Sequence, residues 1–563
     1  MHKFAIVSHP RHHQPVEKVL RISAFILLAG LALVLPVRAP GDSRTSADAS
    51  GLALELDPSP YQVPTPHLPK TSKVAQRSQR RYLLLVSIDG LAYPTLQQLL
   101  PRLPTLRRLA KRGFRRSMIT VFPSMTWASH VSAITGQYPR VHGILGNRWY
   151  QSGKGLVRPY LGQTSDRDRQ ARTPSLYDLV SGKEWPVAAL NWSATQYSRT
   201  ITYNLPETMG SYSLPGRLLS PELAALIPEL RPARHIGRSK RGRRLGRRWR
   251  RRFGALMKRE DLHTDQLVND IALRLLRLPR AQIPRLMMVH YVAADSVQHA
   301  RGMRSPRLFP TVRALDRMIG ELLRGYRRAG LSRRLSVLVM SDHGFTEIHR
   351  TMDLRLLLRR ERIANYRFYR SSAEITRDKV YTVFNGHVAF VYVKNDDAKT
   401  TALISKLVRA KAYRRCVKAV FGPEQYARLG LPRPLDLAPE DRERSSERQR
   451  GSYYHPGAPS LILLSRPDCS FYSAHRRAII RRTRWPFGVH GYLPTLRSIQ
   501  AMLIGAGAGI RAGGRELKIA RIVDVAPTGA SLLGLRWPAR WPGSKERFRL
   551  DGRPLTDVLK DPL

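Results

Sequence analysis

Cysteine is nearly absent: Cys416 and Cys469 are the only two in 563 residues. That count excludes the disulfide framework of a small secreted domain, and leaves one bridge and two free thiols both open. Acidic side chains are scarce as well. Asp and Glu number 41 against 97 Lys and Arg, a formal net charge of +56. Such a chain suits polyanionic surroundings, whether nucleic acid, anionic lipid headgroups or acidic substrates, and charge alone does not choose among them. No internal repeat is present. The apolar run Ile22 to Val37 is shorter than the roughly 20 residues of a comfortable membrane span.

Basic Lys3, Arg11, Lys18 and Arg21 precede that run, so residues 1–40 read as an export signal. Val37-Arg38-Ala39 offers a small residue for cleavage, but Pro40 is a poor context for it, so an uncleaved anchor also fits. Either way the protein is expected outside the cytoplasm, periplasmic or held on the membrane facing outward. Residues 41–80 are rich in Pro, Ser and Asp and read as a tether.

Hydrophobic residues make up 42% of the chain, enough for a large core in one or two domains. Arg81 to Ile88 is a largely apolar strand closed by Asp89-Gly90, and Leu96 to Gly113 reads as an amphipathic helix with a terminal glycine. Further strands are expected at Ser117 to Val121, Pro186 to Leu190, Arg285 to Tyr291 and Leu335 to Met340. This alternation predicts an α/β fold, a doubly wound and mostly parallel sheet over about 81–562, with function at the carboxyl ends of the strands. Two segments break the rhythm. One is a basic insertion at about 205–262, whose core at 235–252 carries Trp249 among arginines and is a candidate anionic lipid or polymer contact. The other, about 351–455, reads as an α+β cap.

Phe122-Pro123-Ser124-Met125-Thr126 leads into a helix of small residues, which sets the Thr126 hydroxyl beside free backbone N–H groups. Alone, such a threonine is read as a helix cap. Acids and histidines then recur at strand ends: Asp89; Asp295 and His299, four apart and so on one face of a helical turn; Asp342-His343; and His490 between glycines. Singly each has a bland role as a turn former or core histidine. Together they are the oxygen and nitrogen ligand set for two divalent ions of the zinc type, with open positions for substrate.

In that order, VSIDG at 86–90, FPSMTWASHVSAITG at 122–136, DSVQHARG at 295–302, SDHG at 341–344 and GVHGY at 488–492 resemble the type I phosphodiesterase and nucleotide pyrophosphatase branch of the alkaline phosphatase superfamily. The resemblance implies one ion on Asp89, Asp342, His343 and Thr126, with Thr126 also the nucleophile. It implies a second on Asp295, His299 and His490, and gives Asn147 the part of holding a phosphate oxygen. Trp127 reads either as a wall of the substrate pocket or as core. Trp127-Ala128-Ser129 departs from the aromatic-Pro-Asn that relatives usually show. Sulfatases of the superfamily need a Cys or Ser nucleophile in a C/S-x-P-x-R motif, which Thr126 followed by Trp127 does not supply, and no arginine lies near Thr126 in sequence as in monophosphatases, so a diester, a pyrophosphate or a phosphonate is the expected substrate, a nucleotide among them. A phosphonate or phospholipid-headgroup hydrolase on the same site, and an inert anion-binding envelope protein, are the rival readings. No specific nucleic-acid recognition is expected.

Overall fold

The computed structural model describes residues 81–151, 155–157, 173–207, 219–227, 262–364, 379–434, 454–472, 478–513, 515–516, 518–541 and 548–560. All lie within one compact unit, Pro58–Leu563. The export segment, the tether, the arginine-rich 235–252 and the charged loop at 435–450 lie outside the described residues. Among the described residues no helix is long and apolar enough to cross a membrane.

Strand β1 (Tyr82–Ile88) is buried along its whole length. Its residues alternate between two cores. Leu84, Val86 and Ile88 pack on one face of the sheet, and Leu83 and Leu85 on the other. A strand covered on both faces is apolar at nearly every position, which explains a run that only Ser87 interrupts; each fully buried Leu or Val contributes roughly 1.5–3 kcal/mol. Around it run β2 (Phe114–Ile119), β3 (Val187–Trp192), β4 (Tyr203–Pro206), β5 (Leu286–Tyr291) and β6 (Leu335–Met340). β4, β3, β5, β1 and β6 lie side by side in parallel.

The strand Ala501–Gly507 follows β6 in the sheet, antiparallel both to it and to β2, so the sheet is mixed but mostly parallel. Observed strand limits sit within a few residues of those expected, and β6 coincides with them.

The single helix expected over Leu96 to Gly113 is two, α1 (Tyr93–Leu99) and α2 (Pro104–Arg112). Pro101 and Pro104 remove backbone donors there, and the buried Asp316 carboxylate takes the N–H groups of Thr105 and Leu106 at 3.1 and 2.7 Å. The helices that matter most for function are α3 (Thr126–Thr135) and α4 (Ala293–Arg301).

Beyond β6, β7 (Thr346–Met352) pairs with an edge strand, β8 (Ile480–Val489), that delivers the chain to His490. A separate antiparallel sheet is built from 380–385, 388–393, 461–465 and 417–421. The two cysteines form a disulfide across this region, with Cα atoms 5.4 Å apart, which closes the question composition left open.

Candidate metal centre

At the carboxyl end of β1 the chain turns through Asp89-Gly90. Gly90 has φ +71°, and a Cβ there would come within 2.5 Å of the Phe345 ring, so only glycine lets the turn close against the site. Its N–H donates to Asp342 Oδ1 at 3.0 Å, which ties the ends of the adjacent β1 and β6 together. The His343 N–H donates to the same oxygen at 2.9 Å. Asp342 is thereby aimed with Oδ2 pointing away from its backbone partners.

The seven residues expected as ligands converge. His343 Nε2 lies 3.1 Å from Asp342 Oδ2, 3.4 Å from Asp89 Oδ1 and 3.3 Å from Thr126 Oγ1. On the other side, Asp295 Oδ2 is 3.5 Å from His299 Nε2, and Asp295 Oδ1 is 3.9 Å from His490 Nε2. The His343 and His490 rings stack at 3.7 Å and join the two halves. Two triplets present one ligand atom each within 4.8 Å: Asp89, Asp342 and His343, and Asp295, His343 and His490.

Each histidine is held in one tautomer by the backbone. Nδ1 of His299, His490 and His343 faces the carbonyl oxygens of Gly488, Ser124 and Gly344 at 2.9, 3.0 and 3.3 Å. A carbonyl only accepts, so Nδ1 carries the proton and the Nε2 lone pair faces the carboxylates. Burial lowers His343 from the ordinary imidazole value against the pull of Asp342, and burial with repulsion from His343 and His299 holds His490 well below that value.

The carboxylates show the opposite stress. Burial, and then repulsion from Asp342, Asp295 and Glu207, pushes Asp89 well above the usual range. Burial also works against ionised Asp342, but His343, His130 and His290 outweigh it and hold that group low. Asp89 Oδ1 and Asp342 Oδ2 are buried without a hydrogen-bond partner. Two orphaned carboxylate oxygens, three aimed imidazole lone pairs and a hydroxyl are a donor set that fits divalent cations of the zinc type.

Thr126 is the first residue of α3, and the cap position belongs to Met125, so the bland reading of Thr126 as a cap does not hold. Its hydroxyl is turned to His343 instead. Asn147 Oδ1 accepts the Trp127 N–H at 3.1 Å, taking one of the orphan donors of α3 and leaving the Asn147 amide NH2 as its donating end. For Trp127, burial decides between the two readings. Its side chain is fully buried with Phe122, Val131 and Ile144, so it is core beneath the site rather than an open wall.

Several supporting residues escaped the sequence reading. His290, inside β5, places Nδ1 2.9 Å from the Asn191 carbonyl and Nε2 3.0 Å from Asp89 Oδ2. His130 donates from Nδ1 to the Thr126 carbonyl at 2.8 Å, and its Nε2 lies 2.9 Å from Ser87 Oγ. The rings of His130 and His290 are 4.3 Å apart, with Trp192 edge-on to His130. Asp265 accepts the N–H groups of Val292 and Ala293 at 2.8 and 3.0 Å and so caps α4 from outside, while Gln298 Nε2 donates to the Gly90 carbonyl at 3.0 Å. The available signal was a polar residue interrupting a buried strand, as Ser87 and His290 do.

Comparison with known proteins identifies the family. The family model described as type I phosphodiesterase / nucleotide pyrophosphatase matches residues 83–493. Human ectonucleotide pyrophosphatase/phosphodiesterase family member 1 is 24% identical over 266 residues, 47% of this chain and 23% of that protein. The rat family member 7 is 24% identical over 282 residues, 50% of this chain and 53% of its own length. The matched stretch thus spans under a quarter of the first relative and about half of the second.

The solved structure of human ectonucleotide pyrophosphatase / phosphodiesterase 5 covers 85% of this chain and all of its own, with TM-score 0.57 at 15% identity, a likeness of fold. An inactive murine form of that protein, solved in complex with AMP, matches with TM-score 0.56 and 14% identity. With 411 consecutive positions, 83–493, fitted by its model, the chain belongs to the type I phosphodiesterase / nucleotide pyrophosphatase family.

Proposed function

We propose that this protein is an exported, two-metal phosphodiesterase or nucleotide pyrophosphatase that works through a covalent phospho-threonine at Thr126. The observation that carries the reading is the set of three backbone-fixed histidine tautomers, whose Nε2 atoms meet the carboxylates of Asp89, Asp342 and Asp295 beside the Thr126 hydroxyl. Asp89, Asp342, His343 and Thr126 would hold one ion, and Asp295, His299 and His490 the other.

Bound divalent cations, zinc in this proposal, supply positive charge that lowers the pKa of a nearby hydroxyl and offsets the charge of a phosphoryl group. The protein does the rest. Thr126 sits at the positive end of α3, where the free N–H groups favour an anion, and His130 holds its carbonyl so that the hydroxyl keeps its direction. Thr126 Oγ1 attacks phosphorus in line with the leaving oxygen; the Oγ1–P bond forms as the bond to the leaving group breaks. Asn147 offers its amide NH2 to a non-bridging oxygen. Water arriving from the side of Asp295, His299 and His490 then cleaves the phospho-ester and restores the threonine.

The family and the relatives' names support a nucleotide or another phosphate ester as substrate. Export to the periplasm, or anchorage there, rests on the sequence of residues 1–40. The inert-scaffold reading is the weaker one, because a decayed site has no reason to keep all seven side chains converged. The test is hydrolysis of bis-p-nitrophenyl phosphate against p-nitrophenyl phosphate by the purified protein, with zinc or with chelator. Metal-dependent cleavage that prefers the diester is the expected result, and a folded, zinc-loaded protein that turns over neither ester contradicts it.

A further inference from the structure

The edge strand β8 carries a feature that the centre does not use. Pairing with β7 is regular at Arg482, opposite Arg350, and resumes at Phe487, opposite Ile348, so Thr483 to Pro486 bow out across from His349 alone. At the crest Trp485 is 72% exposed, more than any other large hydrophobic side chain among the described residues. Arg481, Arg482 and Arg484 around it are exposed, and the Arg484 guanidinium lies 5.8 Å from the indole centroid. From 469 to 490 the sequence contains no Asp or Glu.

Bulges and arginines are ordinary means of blunting an edge strand against aggregation. They do not account for the tryptophan, because an exposed indole at the crest of such a bulge adds apolar surface where edge protection calls for removing it. The bulge also has a fixed relation to the centre. Three residues past Trp485, the Gly488 carbonyl receives Nδ1–H of His299, and the Pro486 carbonyl closes over Gly302 at the end of α4. The acids nearby are already engaged: Glu347 lies 3.4 Å from His349, and Asp468 lies 2.6 Å from Arg350.

We propose that the Arg481–Trp485 bulge is an interfacial anchor, which seats the protein on an anionic lipid surface with the metal centre facing the headgroups. An amphipathic indole settles at headgroup level, and flanking arginines add attraction to anionic lipid. A nucleic-acid strand is the less fitting partner, since stacking platforms line a basic groove with successive aromatics, whereas here one tryptophan stands on a convex edge.

The full chain is tested by co-sedimentation with vesicles of phosphatidylcholine alone and of phosphatidylcholine mixed with phosphatidylglycerol. Trp485→Ala is expected to weaken binding to the anionic vesicles about tenfold. Replacing Arg481, Arg482 and Arg484 by Gln should weaken it on the order of 100-fold, with a shallower salt dependence. Brominated lipid is expected to quench the fluorescence of the wild-type protein more than that of Trp485→Phe, a readout that affinity contributed by other segments does not mask. Turnover of a small soluble diester stays unchanged in all of them, and because binding is read without turnover the anchor and the proposed activity fail separately. Variants that bind and quench like the wild type overturn the anchor. So do variants that keep vesicle binding but lose affinity for a single-stranded oligonucleotide.

Discussion

Replacing Asp89 by Asn should separate the cost of the metal centre from its benefit. Asp89 and Asp342 present oxygens within 4.8 Å of each other in a buried site, so two full charges there would repel by at least about 3.5 kcal/mol at an effective dielectric constant of 20. Without metal, burial together with that repulsion pushes Asp89 well above the usual range, and the His290 tautomer, with Nδ1 on the Asn191 carbonyl, makes Nε2 an acceptor of a hydrogen bond from Asp89 Oδ2 at 3.0 Å. An asparagine NH2 makes the same hydrogen bond, so the metal-free variant loses no contact. With metal the balance reverses. Zinc at a thousand times its Kd stabilises the wild type by about 4 kcal/mol, which is about 4 °C in Tm for a unit of several hundred residues that unfolds with about 1 kcal/mol per degree. Loss of a carboxylate ligand that weakens binding 100-fold removes about 2.7 kcal/mol and shrinks the shift to about 1 °C. Differential scanning calorimetry with chelator and with zinc reads both limits. The reasoning fails if Asp89→Asn keeps the full zinc shift, or if its metal-free Tm falls several degrees below that of the wild type.

His290→Ala, which leaves Asp89 without its partner, should lower kcat and zinc affinity some 10–100-fold with little change in KM, while His290→Asn recovers part of the loss; equal kinetics for wild type and alanine variant would show that the contact does not position Asp89. Glu207, buried and hydrogen-bonded by Ser193, is pushed up to about 8, chiefly by burial and further by Asp342. Between its unfolded value near 4.5 and that folded value the native state binds the extra proton, so its contribution is complete below the window and lost as pH rises through it. Metal-free wild type should therefore lose stability relative to Glu207→Gln from pH 5 to pH 8, by several kcal/mol at most, and parallel Tm profiles would refute the assignment. Chelation should abolish diester turnover reversibly, with recovery on adding zinc; activity that survives exhaustive chelation would contradict the ligand assignment.

The site was legible because its ligands stand where chain grammar puts them. Asp89, Asp342-His343 and Asp295 follow apolar strands, and the i, i+4 spacing of Asp295 and His299 became one helical face, at 3.5 Å. The supports were not legible, since they act across long separations that no local pattern records: Asp265 caps a helix 28 residues away, and Ser124 lies 366 residues from the His490 that its carbonyl orients. Trp127 stayed open in the sequence because an aromatic beside a nucleophile reads equally as wall or core, and burial decides for core. The helix expected from Leu96 failed at Pro101 and Pro104, where apolar periodicity outweighed the missing backbone donors in the reading but not in the protein. The pairing of Cys416 with Cys469 needed the fold of the second sheet, because two cysteines 53 apart carry no geometry of their own.

The central claim is that Thr126 carries the phosphoryl group. Its most direct test is acid quenching of the zinc-loaded protein during turnover of a diester, followed by proteolysis and mass spectrometry of the peptide that contains Thr126. The account predicts a phosphoryl ester on Thr126 that accumulates in wild type, builds up further when His490 is replaced by Ala, and is missing in Thr126→Ala together with turnover. Undiminished turnover by Thr126→Ala, or a phosphoryl group trapped on another residue, would contradict it.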